Sequence, residues 1–141
     1  MNKAKVLFIC TGNSARSQMA EGFLEEYGSE QFAAYSGGLK AEGIHPYTKE
    51  VMAEVGIDIS NQESKKLKTF LGQMHFGYLI TVCKKAANSC PTFPDVSKRL
   101  NWELDDPKKF KGTEEEQLTK FREVRDKIKT KVQKFITDNS K

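Results

Sequence analysis

The sequence predicts an α/β protein, one domain over residues 1–141 built as a three-layer α/β/α arrangement around a four-stranded parallel sheet. Short runs rich in strand formers alternate with segments whose apolar residues recur at helical spacing, the pattern of strands joined by right-handed crossovers. The first run, Lys5 to Ile9, is continuously apolar after its lysine, as a strand buried on both faces must be. At 141 residues and 38% hydrophobic content the chain can bury a core without disulfide support.

Taken in order, Lys5 to Ile9 is the first strand, stopping abruptly at a polar, glycine-containing loop. Met19, Ala20, Phe23, Leu24 and Tyr27 then fall on one helical face, with Gly28 as the stop. Phe32 to Ser36 is a second strand, followed by a connection from Gly37-Gly38 to Gly43. Pro46 suits a helix start, with Val51, Met52 and Val55 inward and Gly56 ending it. Ser60 and Glu63 resemble a capping box for a helix carrying Leu67, Phe70, Leu71 and Met74. Tyr78 to Val82 is the third strand and Arg99 to Leu104 the fourth, separated by a polar loop from Cys83 to Asp95 that can include a short helix. Thr113 and Glu116 open a long amphipathic helix with Leu118, Phe121, Val124, Ile128, Val132 and Phe135 inward.

Composition narrows the function classes. The net charge of +4 comes from 23 basic and 19 acidic residues, and the basic residues from Lys108 to Lys134 are interrupted by acids, so no nucleic-acid footprint is expected. The apolar run at the start is too short for a membrane span or a signal-peptide core, so a cytoplasmic protein with no membrane partner is expected. Three cysteines in such a chain argue for reactive or buried thiols rather than a disulfide framework.

The chemistry concentrates where the first strand ends. In parallel sheets ligands bind beyond the carboxyl ends of the strands, and both Cys10 and Cys83 sit at such ends. Cys10-Thr11-Gly12-Asn13-Ser14-Ala15-Arg16-Ser17 joins a strand to a helix through a tight turn with Gly12. Successive backbone N–H groups and the helix N-terminus can there form a nest for a tetrahedral anion. Arg16 adds a planar fork for two oxygens. The same positive surroundings favour the thiolate of Cys10, and Asn13, Ser14 and Ser17 can brace the loop.

The run Val6-Leu-Phe-Ile-Cys10-Thr-Gly-Asn-Ser-Ala-Arg-Ser-Gln-Met-Ala-Glu-Gly22 resembles the signature of the low-molecular-weight protein tyrosine phosphatase superfamily, in its arsenate reductase form. The likeness continues through Tyr35-Ser36, Gly56-Ile57-Asp58-Ile59-Ser60, Thr81-Val82-Cys83 and Asp105-Asp106-Pro107. It implies that Asp106, directly before proline, is the acid that protonates the leaving oxygen, with Asp105 the weaker candidate. It further implies a relay in which Cys10 attacks arsenate, Cys83 attacks Cys10, and Cys90 attacks Cys83. The redox-active disulfides would be Cys10–Cys83 and Cys83–Cys90, the latter reduced by thioredoxin as electron donor.

Some related reductases hold potassium at positions matching Asn13, Glu21 and Ser36 plus an aspartate. Lys65 stands in the aspartate's place, and an ammonium repels a cation, so no potassium is expected. Nor is zinc, because neither His45 nor His75 completes a finger-like pattern with Cys83 and Cys90. A monomer without a bound cofactor is expected. Phosphatases of the superfamily carry an aromatic pair after the Asp-Pro, whereas this chain has Lys108-Lys109-Phe110, which counts against stacking a phenol. Ala15 stands where some relatives have a further cysteine. If Cys83 to Cys90 is helical, residues seven apart lie roughly 10.5 Å apart along the axis. A disulfide tolerates at most about 7 Å between Cα atoms, so closing the bridge must unwind any such helix. Two alternatives remain open: a phosphatase acting on phosphate monoesters, and a non-catalytic redox-sensing module that binds anions.

Overall fold

The computed structural model describes residues 3–70, 74–82, 96 and 98–139. The strands are β1 (Ala4–Cys10), β2 (Phe32–Gly38), β3 (Tyr78–Thr81) and β4 (Lys98–Asn101). The helices are α1 (Arg16–Gly28), α2 (Pro46–Ala53) and α3 (Glu114–Asn139). Single 3₁₀ turns occupy Leu67–Thr69 and Pro107–Lys109. The four strands are ordered β2-β1-β3-β4, and every pairing is parallel. The predicted α/β fold with a four-stranded parallel sheet is therefore the observed one.

Side-chain alternation divides the sheet into two covered faces. Phe32 and Tyr78 turn toward Phe135 of α3, with ring centroids 5.2 and 5.1 Å from it. Tyr35 points the other way and meets Phe70 and Phe76 edge-on, at 6.0 and 5.6 Å. Val6 to Ile9 of central β1 have no exposed surface, which explains their continuous apolar run. Enclosing a side chain the size of Phe8 or Phe23 contributes about 1.5–3 kcal/mol. Gly28, predicted as a helix stop, is the last residue of α1, where a Cβ would stand 3.0 Å from the Ile136 side chain. Its role is close approach of α1 to α3. Gly56, at φ +80°, does end the turn after α2.

The helix predicted from Ser60 does not start there. Between residues 60 and 70 only Leu67–Thr69 is helical, and the backbone groups before it are committed elsewhere. The Glu63 carbonyl accepts from Gln18 Nε2, the Lys65 amide donates to Asn13 Oδ1, and the Lys65 carbonyl accepts from the Gly38 amide. Ser60 is held by Asp58, whose Oδ1 accepts its amide. By contrast, the capping box on α3 forms in both directions: Thr113 N donates to Glu116 Oε1 at 3.1 Å, and Glu116 N to Thr113 Oγ1 at 3.2 Å. Among the described residues no helix is long and apolar enough to cross a membrane.

Candidate active site

β1 delivers Cys10 to the carboxyl edge of the sheet beside Gly38, its partner at the end of β2. The chain then turns through 11–15 and enters α1 at Arg16. The left-handed residue of this turn is Asn13, at φ 48°, and not Gly12. Asparagine tolerates that region better than most residues, and here its completely buried side chain is bonded on every side. Its Oδ1 accepts from Lys65 N at 2.7 Å and Gln18 Nε2 at 2.9 Å, while Nδ2 donates to Ser17 Oγ at 2.9 Å. Gly12 serves another purpose: the Glu42 carboxylate rests where its side chain would be, with Oε1 1.9 Å from an added Cβ. Gly38 is required by backbone, since a Cβ there would lie 2.6 Å from Lys40 O and 2.7 Å from Asn13 N.

The carbonyls of the loop are tied to groups around it. Those of Cys10, Thr11, Gly12 and Ser14 accept from the amides of Leu39, Lys40, Glu42 and His45, at 3.2, 2.9, 3.0 and 3.1 Å. The Asn13 carbonyl accepts from Gln18 Nε2 at 3.1 Å, and that of Ala15 from Met19 N at 2.9 Å. In a trans peptide the C=O and the following N–H point in opposite directions. With these carbonyls turned toward their partners, the amides of Thr11 through Arg16 face the opposite way, a ready nest for an anion.

Within this nest Cys10 is buried and its Sγ lies 2.7 Å from Ser17 Oγ. When Cys10 is a thiolate, only Ser17 can be the donor, and the bond then stabilises the charge. Arg16, also buried, donates from one guanidinium nitrogen to the Leu104 carbonyl at 3.0 Å, and its other terminal nitrogen lies 3.5 Å from Asp106 Oδ2. Asp106 caps the turn Pro107–Lys109, its Oδ1 accepting from Lys108 N at 3.0 Å. The loop thus carries a thiol and a guanidinium, with a carboxyl group against the latter. Burial, and then the Lys108 ammonium, hold the His45 imidazole below its ordinary pKa, with Asp106 pulling the other way.

The groups that the family resemblance associates with potassium are engaged with protein partners. Asn13 Oδ1 already accepts two protein donors, and the Ser36 hydroxyl donates to Glu21. Burial raises the pKa of Glu21, while Ser36 and the Lys65 ammonium oppose it. Among the described residues no three His, Cys, Asp or Glu side chains are grouped to hold a metal ion.

The structure therefore brings Thr11 to Ser17 around Cys10, and sets Asp106 beside Arg16. Cys83 and Cys90, with the residues between them, lie outside the described residues. Sequence reasoning missed Gln18 and Gln62, which brace the loop from α1 and residues 60–65, with Gln62 Nε2 donating to Gln18 Oε1 at 2.8 Å. It also missed the Leu104 carbonyl that anchors Arg16. No local pattern signals these long-range partners.

Residues 5–141 match the family model described as low molecular weight phosphotyrosine protein phosphatase, and the chain belongs to that family. Within it, the sequence is 44% identical to an arsenate reductase of Shouchella clausii (strain KSM-K16) over 96% of both chains. A solved structure described as an arsenate reductase in the phosphate binding state superposes with a TM-score of 0.82, at 36% identity, covering 97% of this chain and 99% of the other. A Corynebacterium glutamicum thioredoxin-dependent arsenate reductase aligns with a TM-score of 0.62 at 28% identity, covering 93% of this chain and 62% of that one.

Proposed function

We propose that this chain reduces arsenate to arsenite through Cys10, Cys83 and Cys90, with thioredoxin restoring the thiols. The observation that carries the reading is the loop whose carbonyls accept from the segments around it, with the Cys10 thiol and the Arg16 guanidinium gathered at the same turn. Relatives named arsenate reductases match nearly the whole chain, and one structural relative is named thioredoxin-dependent.

In this scheme the Cys10 thiolate attacks arsenic and an oxygen leaves as water with the proton of Asp106, forming a sulfur–arsenic bond. The Cys83 thiolate then attacks Cys10 Sγ, and the electron pair of that bond passes to arsenic, which leaves as arsenite. Cys90 displaces Cys10 from the Cys10–Cys83 disulfide, and the thioredoxin dithiol reduces the resulting Cys83–Cys90 disulfide. All three thiols must start reduced, which suits the cytoplasm. The scheme needs no potassium, so rates in sodium and potassium buffers of equal ionic strength agree within about twofold.

Arsenate-dependent NADPH oxidation with thioredoxin and thioredoxin reductase tests the relay. Cys10→Ser and Cys83→Ser abolish it, whereas Cys90→Ser allows one reduction per chain and no thioredoxin-driven turnover. Sustained turnover by Cys90→Ser would eliminate the third thiol from the scheme.

A further inference from the structure

The border of the anion loop includes an ion pair that the relay does not use. On one flank the Glu42 carboxylate rests on Gly12, and the Glu42 amide donates to the Gly12 carbonyl at 3.0 Å. On the other, Asp106 lies 3.5 Å from Arg16 and accepts from the Lys108 amide at 3.0 Å. Lys108 Nζ joins the flanks, 3.2 Å from Glu42 Oε1. Contacts run from Gly12 through Glu42, Lys108 and Asp106 to Arg16, so they begin and end on the loop itself.

An ester whose phosphoryl oxygens fill the amide nest must direct its organic group out past this border. There it meets two charges, one on each flank. Laying an apolar group on that pair strips water from both charges without replacing it. An inorganic tetrahedral anion carries no such group, and Lys108 offsets the repulsion that Glu42 would exert on it. With side-chain exposures of 26% for Lys108 and 48% for Glu42, the pair is too wet to matter greatly for stability. We propose that the Glu42–Lys108 pair is a specificity-determining border that selects small inorganic oxyanions over monoesters with an apolar group. This rests on the loop being an oxyanion site, and not on the later thiol relay.

Protection of Cys10 from iodoacetamide, followed by mass spectrometry of the peptide that carries it, reports binding without turnover. The probes are inorganic phosphate and phenylphosphonate. Glu42→Ala combined with Lys108→Ala leaves net charge unchanged, and it raises the affinity for phenylphosphonate relative to phosphate about tenfold, through tighter phenylphosphonate binding. Glu42→Lys combined with Lys108→Glu rebuilds the pair and returns the ratio to the wild-type value. An unchanged ratio in the double alanine variant, a change arising from phosphate alone, or no recovery in the swapped variant would each overturn the proposal. Wild type that is protected by phosphate yet reduces no arsenate removes the reductase reading and leaves this one standing. No phosphate protection in wild type removes both.

Discussion

Cys10 and Ser17 stand at opposite ends of the anion loop, yet their side chains meet at 2.7 Å because α1 begins immediately beyond the turn. Asn13 occupies one side of the Ser17 hydroxyl by donating to it, and Asn13 is itself oriented by Lys65 and Gln18. The contact between the two side chains therefore depends on a chain of bonds reaching into residues 60–65. Ser17→Ala removes its last link, and alkylation of Cys10 at pH 7 slows roughly tenfold, the scale of a hydrogen bond to a charged group. An unchanged rate would show that the bond contributes nothing to the thiolate. Gly38 fails differently, because the atoms a Cβ would strike are backbone atoms of the loop and its neighbouring segment. Gly38→Ala costs about 1–3 kcal/mol in urea unfolding and weakens phosphate protection of Cys10, since relief of the clash displaces the loop.

The elements divide into those specified by local signals and those specified by distant partners. Thr113 and Glu116 announced α3, and their reciprocal bonds form; Thr113→Ala lowers stability by about 1 kcal/mol, read from urea midpoints, without altering Cys10 alkylation. The strands and the amphipathic faces were equally legible because they rest on composition and periodicity within a few residues. The anion loop was legible as a motif, although its left-handed residue was not, since Asn13 adopts φ 48° only with three long-range or cross-loop partners in place. Residues 60–66 were misread for the same reason. Ser60 and Glu63 have the spacing of a capping box, but Gln18, Asn13 and Gly38 claim the backbone groups that a helix would have used. The Glu42–Lys108 contact was likewise invisible, because it links positions 66 apart.

Across the whole molecule two partly buried groups tilt the acid stability in opposite directions. His45 has a folded pKa below 6.5 and caps α2 by accepting the Tyr47 amide on Nδ1 at 3.0 Å. Its contribution is complete above 6.5 and is lost as pH falls toward the folded value, because the unfolded chain takes up the proton first. His45→Asn keeps a capping side chain without the titration, so its stability relative to wild type rises as pH drops from about 6.5 to about 5. Glu21 runs the other way: burial lifts its folded pKa above 4.5, so its contribution is full below that pH and is lost as pH rises through the folded pKa. Glu21→Gln can still accept the Ser36 hydroxyl bond but carries no charge to desolvate. The variant therefore gains stability relative to wild type as pH climbs from about 4.5 toward neutrality, by about 1 kcal/mol for each unit of displacement. Urea midpoints for wild type and Glu21→Gln across that range decide it, since a constant difference would mean that Lys65 and Ser36 already offset the burial of the carboxylate.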